Sequence, residues 1–257
     1  MDDIRCAEQA LVAALVLAPE RRRVVASWLR GSDFASATCG LIFDRLGELG
    51  GDRGAVEASS LLESLRVHGD LRSDGYPIAQ LMRWFDEVPP HPPVAAYGGL
   101  VLEGWLARRV EAAGTRLVQV AASGAPARAL AAAAGQRTML AAARRRWCAV
   151  PEQVGRSATR TVPPASVRGA GRSPAGDVSA ELVVVGSVLA APGVVRRLSG
   201  WLQTSDFVHQ HLAHAYGMAV SMAASGAPVD RITVGAELRR AAPRVGWARL
   251  LMAAEEL

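Results

Sequence analysis

The chain of 257 residues is expected to be all-α, in two related helical units. Three observations lead there. Half of the residues are hydrophobic, chiefly Ala, Leu and Val, while aromatics make up only 5% and β-branched runs are short; such a composition favours helix. The apolar residues recur at helical spacing in one segment after another. The third observation is a repeat. Ala7–Phe34 (AEQALVAALVLAPERRRVVASWLRGSDF) returns as Ala180–Phe207 (AELVVVGSVLAAPGVVRRLSGWLQTSDF), with Ala-Glu, Ala-Pro, Trp-Leu and Ser-Asp-Phe in register. The offset of 173 residues holds to Arg66 and Arg239, and 14 of the 60 aligned positions are identical. A repeat of this length means two copies of one structural unit.

The elements follow in order. Glu8–Leu17 is almost continuously apolar (Ala10, Leu11, Val12, Leu15, Val16), as in a mostly buried helix. Pro19 suits the first turn of a second helix, where its missing N–H costs nothing. That helix turns Val24, Val25, Trp28 and Leu29 to one side and Arg21, Arg22 and Arg23 to water. Ser32 or Asp33 reads as the N-cap of a third helix, anchored by Phe34 and continued by Leu41, Ile42, Phe43, Leu46 and Leu49. Gly50-Gly51-Asp52 is a turn. A short helix from Ser59 or Ser60 points Leu61, Leu62 and Leu65 inward, and Tyr76–Phe85 is helical again. The run VPPHPPV at 88–94 forces an extended break.

Residues 95–122 form a long amphipathic helix with Tyr97, Leu100, Val101, Trp105, Leu106, Val110, Leu117 and Val118. Residues 127–147 form an Ala-rich return helix ending in Arg144-Arg145-Arg146, where cations suit the helix C-terminus. The two make a helical hairpin. Residues 151–176 are rich in Pro, Gly, Ser and Arg and read as a flexible linker. The second copy follows, with Gly246-Trp247 echoing Gly75-Tyr76, and it lacks a hairpin. The expected domains are therefore 4–147, a head with its hairpin; 148–178, a linker; and 179–257, a second, truncated head.

Charge is uneven. Residues 1–100 hold 10 Arg against 14 acids, a balance of −4, whereas residues 101–146 hold 8 Arg against 2 acids, a balance of +6. Residues 147–176 add 4 Arg against 1 acid, or +3, and residues 177–257 hold 7 of each. A basic middle between neutral or acidic ends fits nucleic acid or an acidic partner, but equally a solvated helix face. Arg144, Arg145 and Arg146 are the candidate nucleic-acid contacts. Few aromatics interleave with the arginines, so binding would be sequence-tolerant and steeply salt-dependent. Trp105, with Arg108, Arg109 and Arg116, is the candidate interaction set on the hairpin, because aromatics and Arg are enriched at interfaces.

Catalytic and metal chemistry find little support. The chain contains no Lys, and a P-loop needs the Lys of G-x-x-x-x-G-K-[ST] to reach the phosphates, so no ATP site and no other cofactor is expected. His209, His211 and His214 are the best metal candidates, but no Cys or fourth ligand is near in sequence and surface histidines are the expected reading. Asp33 and Asp206 read as caps rather than acid–base groups, and Trp28 and Trp201 as core. Cys6, Cys39 and Cys148 form no C-x-x-C, which argues against a disulfide framework and for a cytoplasmic location. No apolar run reaches the length of a membrane span, and Asp2, Asp3 and Arg5 leave no signal-peptide pattern at the N-terminus.

The ordered series AEQALVAALVLAP, SDF, Ile42-Phe43, LLESL, Gly75-Tyr76 before Leu81, then VPP, Tyr97 and a long helix, resembles the N-terminal domain of DnaB-type replicative helicases. The resemblance spans roughly residues 4–147 and recurs, for the head alone, at 179–257. Two positions depart from the family pattern. The aromatic usual after Asp-Phe is Ala35 in one copy and Val208 in the other, and the His usual four residues later is Cys39 or Leu212. The resemblance implies a non-catalytic interaction module. In the family this domain dimerises through its hairpin, helps to build the helicase ring and docks primase, while the motor is a separate RecA-like domain. The implied partners are a replicative helicase, a primase, or a second copy of the chain. The alternatives are sequence-tolerant DNA binding through the Arg-rich middle, and a helicase-derived regulator that interferes with ring assembly.

Overall fold

The computed structural model describes residues 2–50, 58–67, 83–85, 88, 92–122, 126–148, 150, 178–243 and 245–255. The fold is all-α: every regular element among these residues is a helix. In the first copy these are α1 (Asp2–Leu17), α2 (Arg22–Ala26), α3 (Ala37–Gly50) and α4 (Ala58–Val67). The hairpin is α5 (Val94–Ala122) and α6 (Pro126–Cys148). The second copy supplies α7 (Val178–Ala190), α8 (Val195–Leu198), α9 (Gln210–Ala224), α10 (Arg231–Ala241) and α11 (Trp247–Glu255). Most of the expected turn at 50–52, the Leu62 side chain, most of the helix at 76–85, most of the Pro-rich break and most of the linker lie outside what the structure describes.

Each copy has its own apolar core. The first joins Leu11, Leu15, Val25, Trp28, Leu29, Ile42, Phe43 and Leu46 to Tyr97, Val101 and Leu102 at the base of the hairpin. The second joins Val185, Val188, Leu189, Leu212, Tyr216, Met218 and Met222 to Val234, Leu238, Trp247 and Leu251. Helix α1 is buried nearly all round because α3, α5 and α10 pack on it, which explains its unbroken apolar sequence. Not every expected apolar position is inward: Val24 and Leu49 are exposed.

The copies repeat joints as well as helices. Glu8 on α1 accepts from the backbone N–H of Ala35, at 2.5 Å, and of Ser36, at 2.9 Å. Glu181 on α7 does the same for Val208 and His209, at 2.6 and 3.0 Å. The Ala-Glu shared by the two copies is thus a cap delivered from the first helix to the start of α3 or α9. Phe34 packs on Phe43 with ring centroids 5.3 Å apart, and Phe207 on Tyr216 at 5.1 Å. The Asp of Ser-Asp-Phe has another task than the one expected. The chain makes a 3-10 turn at Gly31–Asp33, and Asp33 closes that turn on the N–H of Arg30 at 2.8 Å. Asp206 closes its own turn on Gln203 at 2.7 Å. Helix α3 starts later, at Ala37, so Ser36 is its side-chain cap, accepting from Cys39 N–H at 3.3 Å.

Local packing has been exchanged between the copies. In the first, Gly31 leaves room for Asp44, whose carboxylate accepts the Gly31 N–H at 3.0 Å. At the same two positions the second copy has Thr204 against Gly217. Arg22, expected in water, instead lies 4.7 Å above the Phe43 ring and donates to the Phe43 carbonyl.

Among the described residues no single helix is long and apolar enough to cross a membrane. The apolar pair Val178–Ala190 and Pro192–Leu198 bends by 111° and buries Val185, Val188, Leu189 and Val195 in the second core.

Candidate functional site

The hairpin is fixed to the first head at one polar joint. Asp33 is 0% exposed. The Arg146 guanidinium, at the far end of α6, grips it as a fork: Nη1 to Oδ1 at 3.0 Å and Nη2 to Oδ2 at 2.5 Å. Nη2 also reaches the Trp28 carbonyl at 3.1 Å. From α5, Arg108 donates to the Asp33 backbone carbonyl at 2.5 Å. Bidentate Arg–carboxylate pairing of this kind adds directional specificity to charge. The Trp105 ring covers the joint, with Arg146 4.6 Å and Arg109 5.4 Å from its centroid, both within cation–π range. Below it, Gly98 lets the Trp28 ring press against α5: a Cβ there would lie 2.7 Å from the ring.

The sequence-derived candidates therefore divide. Trp105, Arg108, Arg109 and Arg146 converge on this joint. Arg116 stands apart, exposed on α5 beside a shallow polar depression with Glu111, Thr115 and Gln119. Arg144 and Arg145 face solvent, whereas Arg146 is committed to Asp33. The role of Arg146 was hidden because its partner is 113 residues away. The signal that pointed to it was the Asp common to both copies.

At the equivalent place in the second head no described residue plays the part of the hairpin. Trp28 is 5% exposed and Trp201 69%, so the expectation of two core tryptophans holds for the first alone. Trp28 is covered by α5, with Gly98 against its ring; among the described residues no helix covers Trp201 in that way. Asp206 is exposed and forms no ion pair among the described residues.

A second joint links the heads. Arg240 of α10 pairs with Glu103 of α5, and with Glu237 of its own helix at 2.5 Å. Burial works against the Arg240 charge, but bonding to Glu103 and Glu237 outweighs it and raises the guanidinium above its ordinary value. Ile232 enters the first core. Beside this contact, Ile4, Leu100, Gly104, Ala236 and Arg239 line a cleft of about 270 Å³. The Tyr97 hydroxyl is buried near Asp230, without a hydrogen bond of standard geometry. Desolvation, and then the Asp230 charge, push its ionisation well above the ordinary range.

The described residues contain no converging group of three His, Cys, Asp or Glu side chains. His209 lies 5.6 Å from His211, His211 meets Trp247 edge-on at 5.4 Å, and His214 Nδ1 is 2.8 Å from the Gln210 carbonyl. Burial pushes the Cys39 thiol up to about 11, far from a reactive thiolate at neutral pH.

Comparison with known families agrees with the geometry. The family model for the DnaB-like helicase N-terminal domain matches residues 4–103 and again 173–248. No curated protein and no solved structure gives a match. The first matched span ends within α5, so the family model covers the head and the hairpin base in the first copy and the head in the second. Two matches at the two copies of one helical head, across most of the chain, place this protein in the DnaB-like helicase N-terminal domain family.

Proposed function

We propose that the chain is a non-catalytic interaction module of DNA replication, divided as 4–147, 148–178 and 179–257, that engages a replicative helicase, a primase or itself. The observation that carries this reading is the outer part of the hairpin. There Val110, Val118 and Leu130 are 51%, 69% and 74% exposed. Burying a branched apolar side chain is worth about 1.5–3 kcal/mol, so an amphipathic hairpin with bare valines and leucine is suited to a helical partner. The absence of Lys, and hence of a P-loop, removes the usual route to ATP hydrolysis.

The test is capture of the purified full chain by the helicase and the primase of the same cell, with sedimentation of the chain alone for self-association. Binding to one of the three, weakened by Val118→Glu, is expected. A folded chain that stays monomeric and captures neither protein would sink the reading.

One observation favours DNA as a second ligand. Helix α6 carries five Arg and no acidic residue, and Arg128, Arg137, Arg144 and Arg145 are exposed. Replacing Arg144 and Arg145 with Ala should reduce the salt slope of DNA binding by about 2. Absence of binding at low salt would remove DNA from the account.

A further inference from the structure

The two copies differ where the heads meet. On α10, Ile232, Ala236 and Arg240 stand at i, i+4 and i+8 and share one face of the helix. Ile232 enters the first core. Ala236 lines the cleft with Ile4, Leu100 and Gly104. Arg240 holds Glu103 with Nε at 3.0 Å and with Nη2. Another side of the helix serves its own head, with Val234 and Leu238 in the second core. At the offset of 173, Val234 and Leu238 correspond to Leu61 and Leu65, so the core side is apolar in both copies. Ile232, Ala236 and Arg240 correspond to Ser59, Glu63 and Val67. The seam side is therefore particular to the second copy. A helix with the side chain of Glu63 in the place of Ala236 would bring a carboxylate to the apolar wall of the cleft, on the side of Glu103.

The seam has the marks of a contact that can open. Each head has its own core, and among the described residues Ile232 is the one side chain of the second head buried in the first core. Water reaches the Arg240–Glu103 pair, whose side chains are 27% and 38% exposed, and exposed pairs are worth about 0–1 kcal/mol. The cleft of about 270 Å³ runs along the seam, whereas protein interiors leave few voids larger than a water molecule. A polar contact between domains with such a gap permits relative motion. Residues 151–177, between the heads, are enough chain to span roughly 90 Å. A head is therefore not forced to pair with the other head of its own chain.

We infer that the α1/α5 face of the first head is a docking groove for α10, and that two copies of the chain exchange their second heads through it. In the exchanged pair, α10 of each copy lies on α1 and α5 of the other. The two seams are equivalent, so the assembly closes as a two-fold dimer. The first head of another copy does not fit the groove, because α4 carries Glu63 where α10 carries Ala236. Pairing within one chain benefits from a local concentration on the order of 1 mM, so exchange prevails where chains are crowded or where pairing within the chain is blocked. The inference goes beyond the interaction reading and does not rest on it. It names a self-association surface away from the outer hairpin, and the residues that key it.

The test reverses charges in the full chain. Arg240→Glu and Glu103→Arg each set like charges against one another within a chain. A mixture of the two chains offers opposite charges at both exchanged seams. Both chains also carry Val118→Glu, so that association through the outer hairpin does not contribute. One is labelled with heavy nitrogen, and native mass spectrometry then tells the mixed dimer from either self-dimer. The mixed dimer is expected to exceed each self-dimer by roughly tenfold or more. A chain with both reversals, whose charges are again opposite within the chain, should give no more dimer than one with the native seam. Ala236→Glu in both partners should abolish the mixed dimer. A mixture with no more mixed dimer than self-dimer would overturn the inference, as would a mixed dimer that survives Ala236→Glu in chains with unchanged circular dichroism. Neither helicase nor primase enters this test and the outer hairpin is blocked throughout, so its failure is distinct from failure of the interaction reading.

Discussion

Removing the guanidinium of Arg146 tests whether one ion pair fastens the hairpin to the head. In Arg146→Ala the Asp33 carboxylate, 0% exposed, keeps the Arg30 N–H at 2.8 Å and loses both contacts to the fork. Breaking a buried pair by deleting one partner costs about 3–5 kcal/mol, because the remaining charge is left without compensation. Arg146 is only half-buried, so water reaches the site and the lower end, about 3 kcal/mol, applies. Loss of the stack on Trp105 adds about 0.5–1 kcal/mol. A chain of this size loses about 2–4 °C of Tm per kcal/mol, so the transition of the hairpin-bearing head should fall by about 7–16 °C.

Differential scanning calorimetry reads the shift, and hydrogen exchange along α6 shows where it originates. Arg145→Ala, one residue away and exposed, is the control and should stay within about 0.5 kcal/mol. Asp206→Ala removes only a turn cap and should cost about 1 kcal/mol. In the double variant Asp33→Asn/Arg146→Ala the effects should be clearly less than additive. If Arg146→Ala costs no more than Arg145→Ala, the joint does not hold the hairpin.

Gly98→Val places a Cβ 2.7 Å from the Trp28 ring and 2.9 Å from Val25. Overpacking of this kind should cost about 1–3 kcal/mol in thermal unfolding. Glu8→Ala leaves the Ala35 and Ser36 N–H groups without their acceptor. Denaturant titration should show a loss of about 1–2 kcal/mol, and Glu181→Ala should destabilise the second head through the same joint. The third prediction concerns alkaline pH. Tyr97 ionises later in the folded chain than in the unfolded one. Its contribution to stability is therefore complete below about pH 10 and lost as pH rises further. Urea midpoints measured from pH 8 to 11 should fall above pH 10, and fall less in Tyr97→Phe; an identical fall in both would reject the assignment.

The fold was legible because its strongest signals are local or repeated. Apolar spacing gave α1, α3 and the hairpin, and the 173-residue offset gave the second head. What the sequence hid depends on neighbours far along the chain. Trp28 and Trp201 sit in nearly the same local sequence, yet one is core and the other is surface, because burial is decided by whether α5 lies above. Arg144, Arg145 and Arg146 look alike in sequence, and only the third reaches Asp33. Asp33 itself has the sequence signature of a helix cap, since Ser-Asp before an apolar run is the common pattern. The 3-10 turn moved that duty to Ser36 and Glu8, and Glu8, lying 27 residues before Ala35, could not be found by spacing.

The joint between the heads obeys a different rule from the repeat. Helix α10 occupies the sequence position of α4, yet it packs on α1 and α5 of the other copy as well as on α9 and α11 of its own. A helix enclosed in this way cannot show a simple polar and apolar face, and RITVGAELRRA does not. Its seven residues from Ile232 to Leu238 are all buried, Thr233 and Glu237 included. Both polar groups are satisfied: Thr233 by Asp230 and the Pro228 carbonyl, Glu237 by Arg240. Buried polar groups with their partners in place fix one arrangement more sharply than apolar contact does. Such a helix carries few of the cues by which a sequence announces an interface, and here it is Arg240, reaching Glu103 across 137 residues, that joins the second head to the base of the hairpin.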